Sequence, residues 1–363
     1  MALDHVRWYF TDATFSPTDL GHTNIGLFFT RWITHFCAPA FIFLAGTSAF
    51  LSTTRGTSRF GLARYLFTRG LWLVLLELTA VHLAWTFSLD YGGLHLGVLW
   101  AIGWSMVIMA GLIYLPLPVL AVLGVGMIAT HNLADSVSLD TFKHSDGSLS
   151  GFGWLVSFLH IPHRPISYPL IPWVGVMMLG YAFAPVLLMP RTVRQWLPLG
   201  VGIASITTFV LLRSTNVYGD PGPWSIQRDT LYSVLSFLNT HKYPPSLLYL
   251  LMTLGPALIA ITVFQRSSGR LAKFFVTFGR VPLFFYLAHL YLIHGLVLIV
   301  AYWQDEDIAS YLTSFARFPE PWGVSLPMVY EVWLGVVLML YPLCRWFAGV
   351  KARNQRRWWS GYI

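Results

Sequence analysis

The stretch FFTRWITHFCAPAFIFLAGTSAFLSTT, from Phe28 to Thr54, decides the fold class. It is long and apolar enough to cross a bilayer as an α-helix, which requires about 20 apolar residues. Arg31 and His35 nevertheless lie within it, and an ionisable side chain at that depth costs about 2.5–3.5 kcal/mol. Because residues four apart share one face of a helix, we expect both side chains to face a protein interior rather than lipid.

The composition extends this conclusion to the whole chain. Hydrophobic residues make up 56% of the 363 residues and charged residues only 10%, which is typical of a polytopic membrane protein. The sequence therefore predicts an all-α fold with about ten transmembrane helices. The predicted spans are the N-terminal segment MALDHVRWYF and residues 28–54, 71–88, 97–114, 117–133, 169–189, 197–213, 246–264, 281–303 and 326–345.

The N-terminal segment is too short to span a bilayer, so we interpret it as the outer half of a first helix that is either truncated or simply short. We predict one transmembrane domain over residues 1–345, followed by a basic cytoplasmic tail over residues 346–363. The net charge of +8 follows from membrane topology, and no nucleic-acid partner is predicted.

Basic residues are concentrated in alternate connections between spans. If both termini are cytoplasmic, 15 of the 23 Lys and Arg residues lie on the cytoplasmic side and none of the 15 acidic residues lies in the same segments. Cytoplasmic loops are rich in Lys and Arg, so the sequence predicts this orientation in a cell (inner) membrane. The basic residues concerned are Arg55, Arg59, Arg64, Arg69, Arg191, Arg194, Arg266, Arg270, Lys273, Arg280, Arg345, Lys351, Arg353, Arg356 and Arg357.

Two predicted outer loops, 135–168 and 214–245, are longer than the 12–15 residues typical of structureless connections. In the second loop the pattern predicts a short helix, capped by Ser225 and extending through Asn239, with leucines and a valine on one face. Asp220 and Lys242 in this loop are candidate substrate-binding residues. These long loops indicate a cover over a functional site.

Nine ionisable residues fall within the predicted spans, and a set of this size predicts a polar interior. A structural ion pair between Arg31 and either Asp4 or Glu77 is the alternative to a functional role for the arginine. His289 and His294 are five residues apart and diverge by about 140° on a helix, which allows one to face a cavity while the other packs. The set is Asp4, His5, Arg31, His35, Glu77, His82, His289, His294 and Glu331.

Two histidines are the best candidates for a general base, since the pKa of imidazole lies close to physiological pH. His5 is in the first segment, and His22 is in the loop that follows it. For both residues a purely structural hydrogen bond is the competing interpretation. His289 and His294 lack the spacing of a helical metal pair, and no metal site is predicted.

The segment from Asp4 to Ser48 resembles the catalytic domain of heparan-α-glucosaminide N-acetyltransferase, a family of transmembrane acyltransferases. The best-matched residues form a Pro-x-Phe-x-Phe-x-x-Gly-x-Ser block: Pro39, Phe41, Phe43, Gly46 and Ser48. Later blocks that begin at Tyr168, Asn239 and Gly279 look like those of uncharacterised bacterial relatives.

The resemblance implies transfer of an acyl group, most simply acetyl, from cytosolic acyl-CoA to a sugar or glycan across the membrane. It places the family's first-helix asparagine at His5 and, after a three-residue gap, its loop histidine at His22. The family's second-helix aspartate falls at His35. On this basis His5 or His22 removes a proton from the acceptor, Asp4 orients the histidine and Arg31 stabilises the oxyanion.

Further candidates for lining the cavity or binding substrate are His35, Glu77, His289 and His294. The expected partners are the lipid bilayer, acyl-CoA as donor substrate and an extracytoplasmic sugar or glycan acceptor, with no tightly bound cofactor and with a homodimer left open. The alternative function is a secondary transporter or proton-coupled permease, because polar residues at the midplane also form substrate pathways. A membrane scaffold or sensor is a third class.

Overall fold

A computed structural model describes residues 1–54, 56–265, 267–312, 323–354 and 357–362. Within these ranges the chain is helical, with isolated β-bridges instead of strands. The α-helices are α1 (Ala2–Phe10), α2 (Ile25–Thr34), α3 (Cys37–Thr53), α4 (Arg59–Leu76), α5 (His82–Thr86), α6 (Val98–Leu112), α7 (Leu117–Thr130), α8 (Gly151–Leu159), α9 (Leu170–Phe183), α10 (Arg191–Thr215), α11 (Thr230–Leu238), α12 (Leu247–Phe264), α13 (Arg270–Arg280), α14 (Pro282–Trp303) and α15 (Leu326–Arg353).

Eight helical segments of the described chain are long and apolar enough to cross a membrane. The predicted all-α, polytopic membrane fold is therefore confirmed. Two of the ten predicted spans are shorter than this length: α1 has 9 residues and α6 has 15. The eight segments are Ile25–Thr53, Arg59–Thr86, Leu117–Ala134, Leu170–Leu188, Arg191–Thr215, Leu247–Phe264, Pro282–Trp303 and Leu326–Arg353.

The helices belong to two compact units. The first unit comprises residues 1–34, 78–94 and 267–363, and its core forms where α1 packs against α14 and α15. Val6 and Tyr9 of α1 are fully buried in this core, together with Ile293 of α14 and Val336 of α15. Burial of one face of α1 fixes the direction in which its polar residues point.

The second unit comprises residues 35–77 and 95–266. Its helices cross at paired glycines. A β-carbon on Gly46 of α3 would lie 2.1 Å from the Met177 carbonyl oxygen, and one on Gly180 of α9 would lie 1.9 Å from that of Phe43. Comparable glycine contacts occur at the crossings α4/α6, α7/α9 and α10/α12: Gly70 with Gly103, Gly124 with Gly175, and Gly202 with Gly255. Small residues at these positions allow close packing of membrane helices.

The stretch 28–54, predicted as one helix, is interrupted by a turn at His35 and Phe36. Pro39 lacks the backbone N–H that would donate to the carbonyl oxygen of His35, the residue four positions earlier. The His35 carbonyl oxygen instead accepts a hydrogen bond of 2.7 Å from the Tyr249 hydroxyl of α12. The predicted single helix over residues 28–54 therefore consists of two helices, with Arg31 in α2 and His35 in the turn that follows it.

The predicted short helix in the loop 214–245 is present but begins later than expected. It is α11, and its N-cap is Asp229, which accepts a 2.8 Å hydrogen bond from the Tyr232 backbone N–H. Ser225 is not the cap. The spacing of Leu231, Val234, Leu235 and Leu238 keeps them on one face of α11. Leu235 on this face is fully buried, whereas Leu231 and Val234 are 43% and 46% exposed, so protein covers only part of the face.

Candidate active site

Two imidazole rings form a hydrogen-bonded pair in the first unit. Nδ1 of His5, on α1, lies 2.8 Å from Nε2 of His289, on α14. Nδ1 of His289 lies 2.6 Å from the backbone carbonyl oxygen of Phe285. A carbonyl oxygen only accepts hydrogen bonds, so Nδ1 of His289 carries a proton and its Nε2 is the acceptor when the ring is neutral.

The same chain of hydrogen bonds also determines the tautomer of His5. His5 must donate through Nδ1, which leaves its Nε2 with a lone pair in the neutral state. Trp85 and Tyr286 lie edge-on to the His5 ring, with centroid distances of 5.1 and 6.1 Å. His289 is fully buried, whereas His5 is partly exposed. The arrangement therefore presents a histidine with a defined basic nitrogen.

Asp4, next to His5 in sequence, lies between two arginines. Its Oδ1 accepts from Arg7 Nη2 at 2.9 Å, and its Oδ2 accepts from Arg31 Nη1. The three side chains are 19%, 5% and 15% exposed. One carboxylate with two guanidinium groups has a net positive charge, which suits stabilisation of a developing oxyanion. The contact that orients the His5 ring comes from His289.

His294, one and a half turns after His289, is also fully buried. Its ring nitrogens face the carbonyl oxygens of Ala84 and Tyr311 at 2.9 and 3.0 Å. The ring stacks on Phe87 and Tyr9, with centroid distances of 4.3 and 5.2 Å. These contacts give His294 a packing environment, while His289 contacts the candidate base.

His22 lies in the exposed loop between α1 and α2. Its Nδ1 is 2.8 Å from Asp19 Oδ2, and the two side chains are 69% and 43% exposed. The hydrogen bond from His22 lowers the pKa of the Asp19 carboxyl. An aspartate that orients an exposed imidazole is an arrangement suitable for a base, but it is open to solvent.

His35 and Glu77 belong to the second unit. The His35 side chain is buried, and its ring centroid lies 5.4 Å from that of Tyr249. The Glu77 oxygens accept from the backbone N–H groups of Gly97 and Leu99 at 2.8 and 3.0 Å. Glu77 thus binds the N-terminal end of α6, where a carboxylate is stabilised by unpaired N–H groups and by the helix dipole.

Asp220 organises the segment between α10 and α12 in the second unit. It accepts hydrogen bonds from the backbone of Gly222 and His241 and from the Ser246 hydroxyl, at 2.9, 2.8 and 2.6 Å. Burial raises the pKa of Asp220, but these hydrogen bonds and the His241 ring outweigh burial and hold the pKa below its ordinary value. The contact with Asp220 in turn raises the pKa of His241.

Lys242 is the neighbouring predicted site residue. Its Nζ lies 5.1 Å from the centre of the Tyr243 ring and 5.9 Å from that of Tyr168. The same unit contains a cavity of about 180 Å³, which is lined only by apolar residues of α6, α7, α8 and α9. None of the predicted site residues lines this cavity.

The structure thus brings four of the predicted site residues together in the first unit: Asp4, His5, Arg31 and His289. Arg7 is not among the residues predicted from the sequence, although its i, i+3 spacing from Asp4 is a usable signal. Asp19, which has the same spacing from His22, is not among them either. The pairing of His5 with His289 joins residues 284 positions apart, and no local pattern predicts such a contact.

Comparison with protein families gives one match. Residues 1–214 match the family model described as heparan-alpha-glucosaminide N-acetyltransferase, catalytic. This range covers more than half of the chain and includes Asp4, His5, His22 and Arg31. No curated protein and no solved structure shows a significant match.

Proposed function

The chain belongs to the heparan-α-glucosaminide N-acetyltransferase catalytic family, and from this premise we propose that it transfers an acyl group, most simply acetyl, from acyl-CoA to a sugar or glycan. The acceptor group is a hydroxyl or amine on the extracytoplasmic side, and the protein acts in the cell (inner) membrane. The observation that carries the proposal is the hydrogen-bond chain from Phe285 through His289 to His5, next to the ion-pair cluster of Asp4, Arg7 and Arg31.

In the proposed reaction Nε2 of His5 is the general base. It removes the proton of the acceptor hydroxyl or amine as this group attacks the thioester carbonyl carbon. The tetrahedral intermediate has a negatively charged oxygen, and the Arg31 guanidinium stabilises it. The C–S bond then breaks, and the CoA thiolate takes the proton from His5.

His289 is a positioning residue in this scheme. Its Nε2 accepts from His5 Nδ1 at 2.8 Å, which keeps the lone pair of His5 on Nε2 and supports the imidazolium that forms when the base is protonated. Asp4 holds the Arg31 guanidinium in place through its Oδ2. All four residues therefore have defined and separate roles.

The first experiment measures acyl transfer by the purified protein from radiolabelled acetyl-CoA to a panel of sugars and amino sugars. We expect His5→Ala to lower kcat by about 10²–10⁴-fold, the range for loss of a general base. His144→Ala, which changes an exposed histidine of an outer loop, is the control and should leave transfer unchanged. Transfer that survives both His5→Ala and His22→Ala contradicts the assigned base.

The role of His289 requires a measurement of the tautomer. In ¹⁵N NMR spectra recorded at a pH at which the His5 ring is neutral, His5 should be protonated at Nδ1. His289→Leu should abolish this preference for the Nδ1 tautomer, and it should lower kcat with little effect on KM. His289→Gln, whose amide oxygen can accept from Nδ1, should restore part of the rate.

Substrate flux into vesicles without acyl-CoA would support the transporter alternative instead.

A further inference from the structure

Helix α13 has two chemically different faces that the proposed reaction does not use. Leu271, Phe274, Phe275 and Phe278 follow the i, i+3, i+4, i+7 spacing of an apolar stripe. Another face carries Arg270, Lys273, Thr277 and Arg280. The helix therefore has three basic residues, no acidic residue and a continuous apolar side.

Only part of the apolar stripe is covered by protein. Phe274 and Phe278 pack on Tyr341 of α15, with ring centroid distances of 4.7 and 6.0 Å. Phe278 also contacts Phe285 of α14 at 4.9 Å. Leu271 and Phe275, on the same stripe, remain 71% and 63% exposed. The helix is thus held on the first unit by one edge, and its remaining apolar edge faces outward.

The position of α13 in the chain indicates that lipid covers the exposed edge. It connects α12 and α14, and both are long and apolar enough to cross a membrane. A segment between two consecutive spans lies at one face of the bilayer, where an exposed apolar edge meets acyl chains. The basic face then lies at the level of the lipid headgroups, as in interfacial amphipathic helices.

We infer that α13 is an interfacial helix that binds anionic phospholipid, with Leu271 and Phe275 among the acyl chains and Arg270, Lys273 and Arg280 at the phosphate groups. Each basic residue near an anionic membrane surface raises the binding constant for that surface by about fivefold. The predicted cytoplasmic location of this connection agrees with the anionic inner leaflet. The phosphates of acyl-CoA are the competing anion, and the test separates the two sources.

The test uses Phe275→Cys labelled with an environment-sensitive fluorophore, in protein whose Cys37 and Cys344 are replaced by Ala, reconstituted in nanodiscs. We expect quenching by brominated lipid and protection from aqueous iodide. Val217→Cys, at a residue that is 83% exposed in an outer segment, is the aqueous control. Leu343→Cys, on the exposed side of the span α15, is the lipid-embedded control.

Anionic selectivity is measured by comparing brominated phosphatidylglycerol with brominated phosphatidylcholine in mixed nanodiscs. At Phe275 the anionic lipid should quench at least about fivefold more per molecule. The combined change Arg270→Gln, Lys273→Gln and Arg280→Gln should remove this preference. The combined change Arg345→Gln, Lys351→Gln and Arg353→Gln removes the same net charge from α15 and should retain the preference for anionic lipid. Arg270→Lys with Arg280→Lys should retain it as well, and this variant tests whether the fold tolerates changes in α13.

Three results would overturn the inference. Iodide quenching at Phe275 equal to that at Val217 would place the edge in water. Equal quenching by the two lipids in the unsubstituted helix would show apolar contact without anionic selectivity. A change in the Phe275 signal caused by soluble CoA, and not by phosphatidylglycerol, would assign the basic face to the acyl donor.

Discussion

The Asp4 carboxylate lies between the guanidinium groups of Arg7 and Arg31 in a region where all three side chains are mostly shielded from water. Removing charges from water is costly, and the attraction within the cluster offsets that cost only while both signs are present. Loss of the carboxylate would leave two neighbouring cations with mutual repulsion. Asp4 is therefore important for stability as well as for the orientation of Arg31.

We predict that Asp4→Asn lowers the free energy of unfolding by about 3–5 kcal/mol, the range for removal of one partner from a buried ion pair. The measurement is thermal unfolding of the purified protein in detergent. Asp19→Asn is the matched control, because it breaks the exposed pair with His22 and should cost less than about 1 kcal/mol. Equal melting temperatures for the two variants would show that the arginines do not depend on Asp4.

At the level of single residues the sequence predicted which side chains are unusual better than it predicted their partners. It identified Arg31 as a buried cation and gave Asp4 and Glu77 as alternative partners. The structure shows Arg31 paired with Asp4, whereas Glu77 binds backbone N–H groups at α6. A partner far away in sequence depends on how helices pack, and hydropathy carries little information about packing.

One glycine of the family motif is required where two helices cross. Gly46 belongs to the Pro-x-Phe-x-Phe-x-x-Gly-x-Ser block, and the structure shows it against the backbone of α9. Thr47, the next residue, donates a 3.0 Å hydrogen bond to the Gly180 carbonyl oxygen. The block therefore joins α3 to α9, in addition to any role near substrate.

We predict that Gly180→Ala destabilises the protein by about 1–3 kcal/mol, because its β-carbon would lie 1.9 Å from the Phe43 carbonyl oxygen and would force α3 and α9 apart. Gly126→Ala in α7 is the control, since a β-carbon there meets nothing within 4 Å. That variant should be neutral or slightly stabilising. Fluorescence-detected thermal unfolding of both variants tests this, and equal loss of stability would contradict the role of the crossing.

Hydropathy predicted the long spans well, because an apolar run of about 20 residues has few alternatives to crossing a membrane. It missed α13, which was interpreted only as a basic connection. In α13 charged and aromatic residues alternate, so the mean hydropathy is low even though the helix has a distinct apolar side. The start of α11 was also misplaced, since Ser225 and Asp229 are both suitable caps and only the fold selects between them.

The predicted topology depends on α6, which is shorter than each of the eight helical segments that are long enough to cross a membrane. Its 15 residues extend about 22 Å as a helix, less than the roughly 30 Å of the hydrocarbon core. If α6 crosses, the basic segments around Arg59 and Arg191 lie on the same side of the membrane. If it does not cross, they lie on opposite sides, contrary to the positive-inside rule.

We therefore predict that α6 crosses the membrane, with local thinning of the bilayer to compensate for its length. Single cysteines at Thr57, Ser148 and Ser268, in protein whose Cys37 and Cys344 are replaced by Ala, distinguish the two topologies. These sites are exposed, and a membrane-impermeant maleimide applied to intact cells should label only Ser148→Cys, with labelling of all three after permeabilisation as the control. Labelling of one but not the other of Thr57→Cys and Ser268→Cys would show that α6 does not cross, because six spans, α6 included, separate these two positions in the predicted topology.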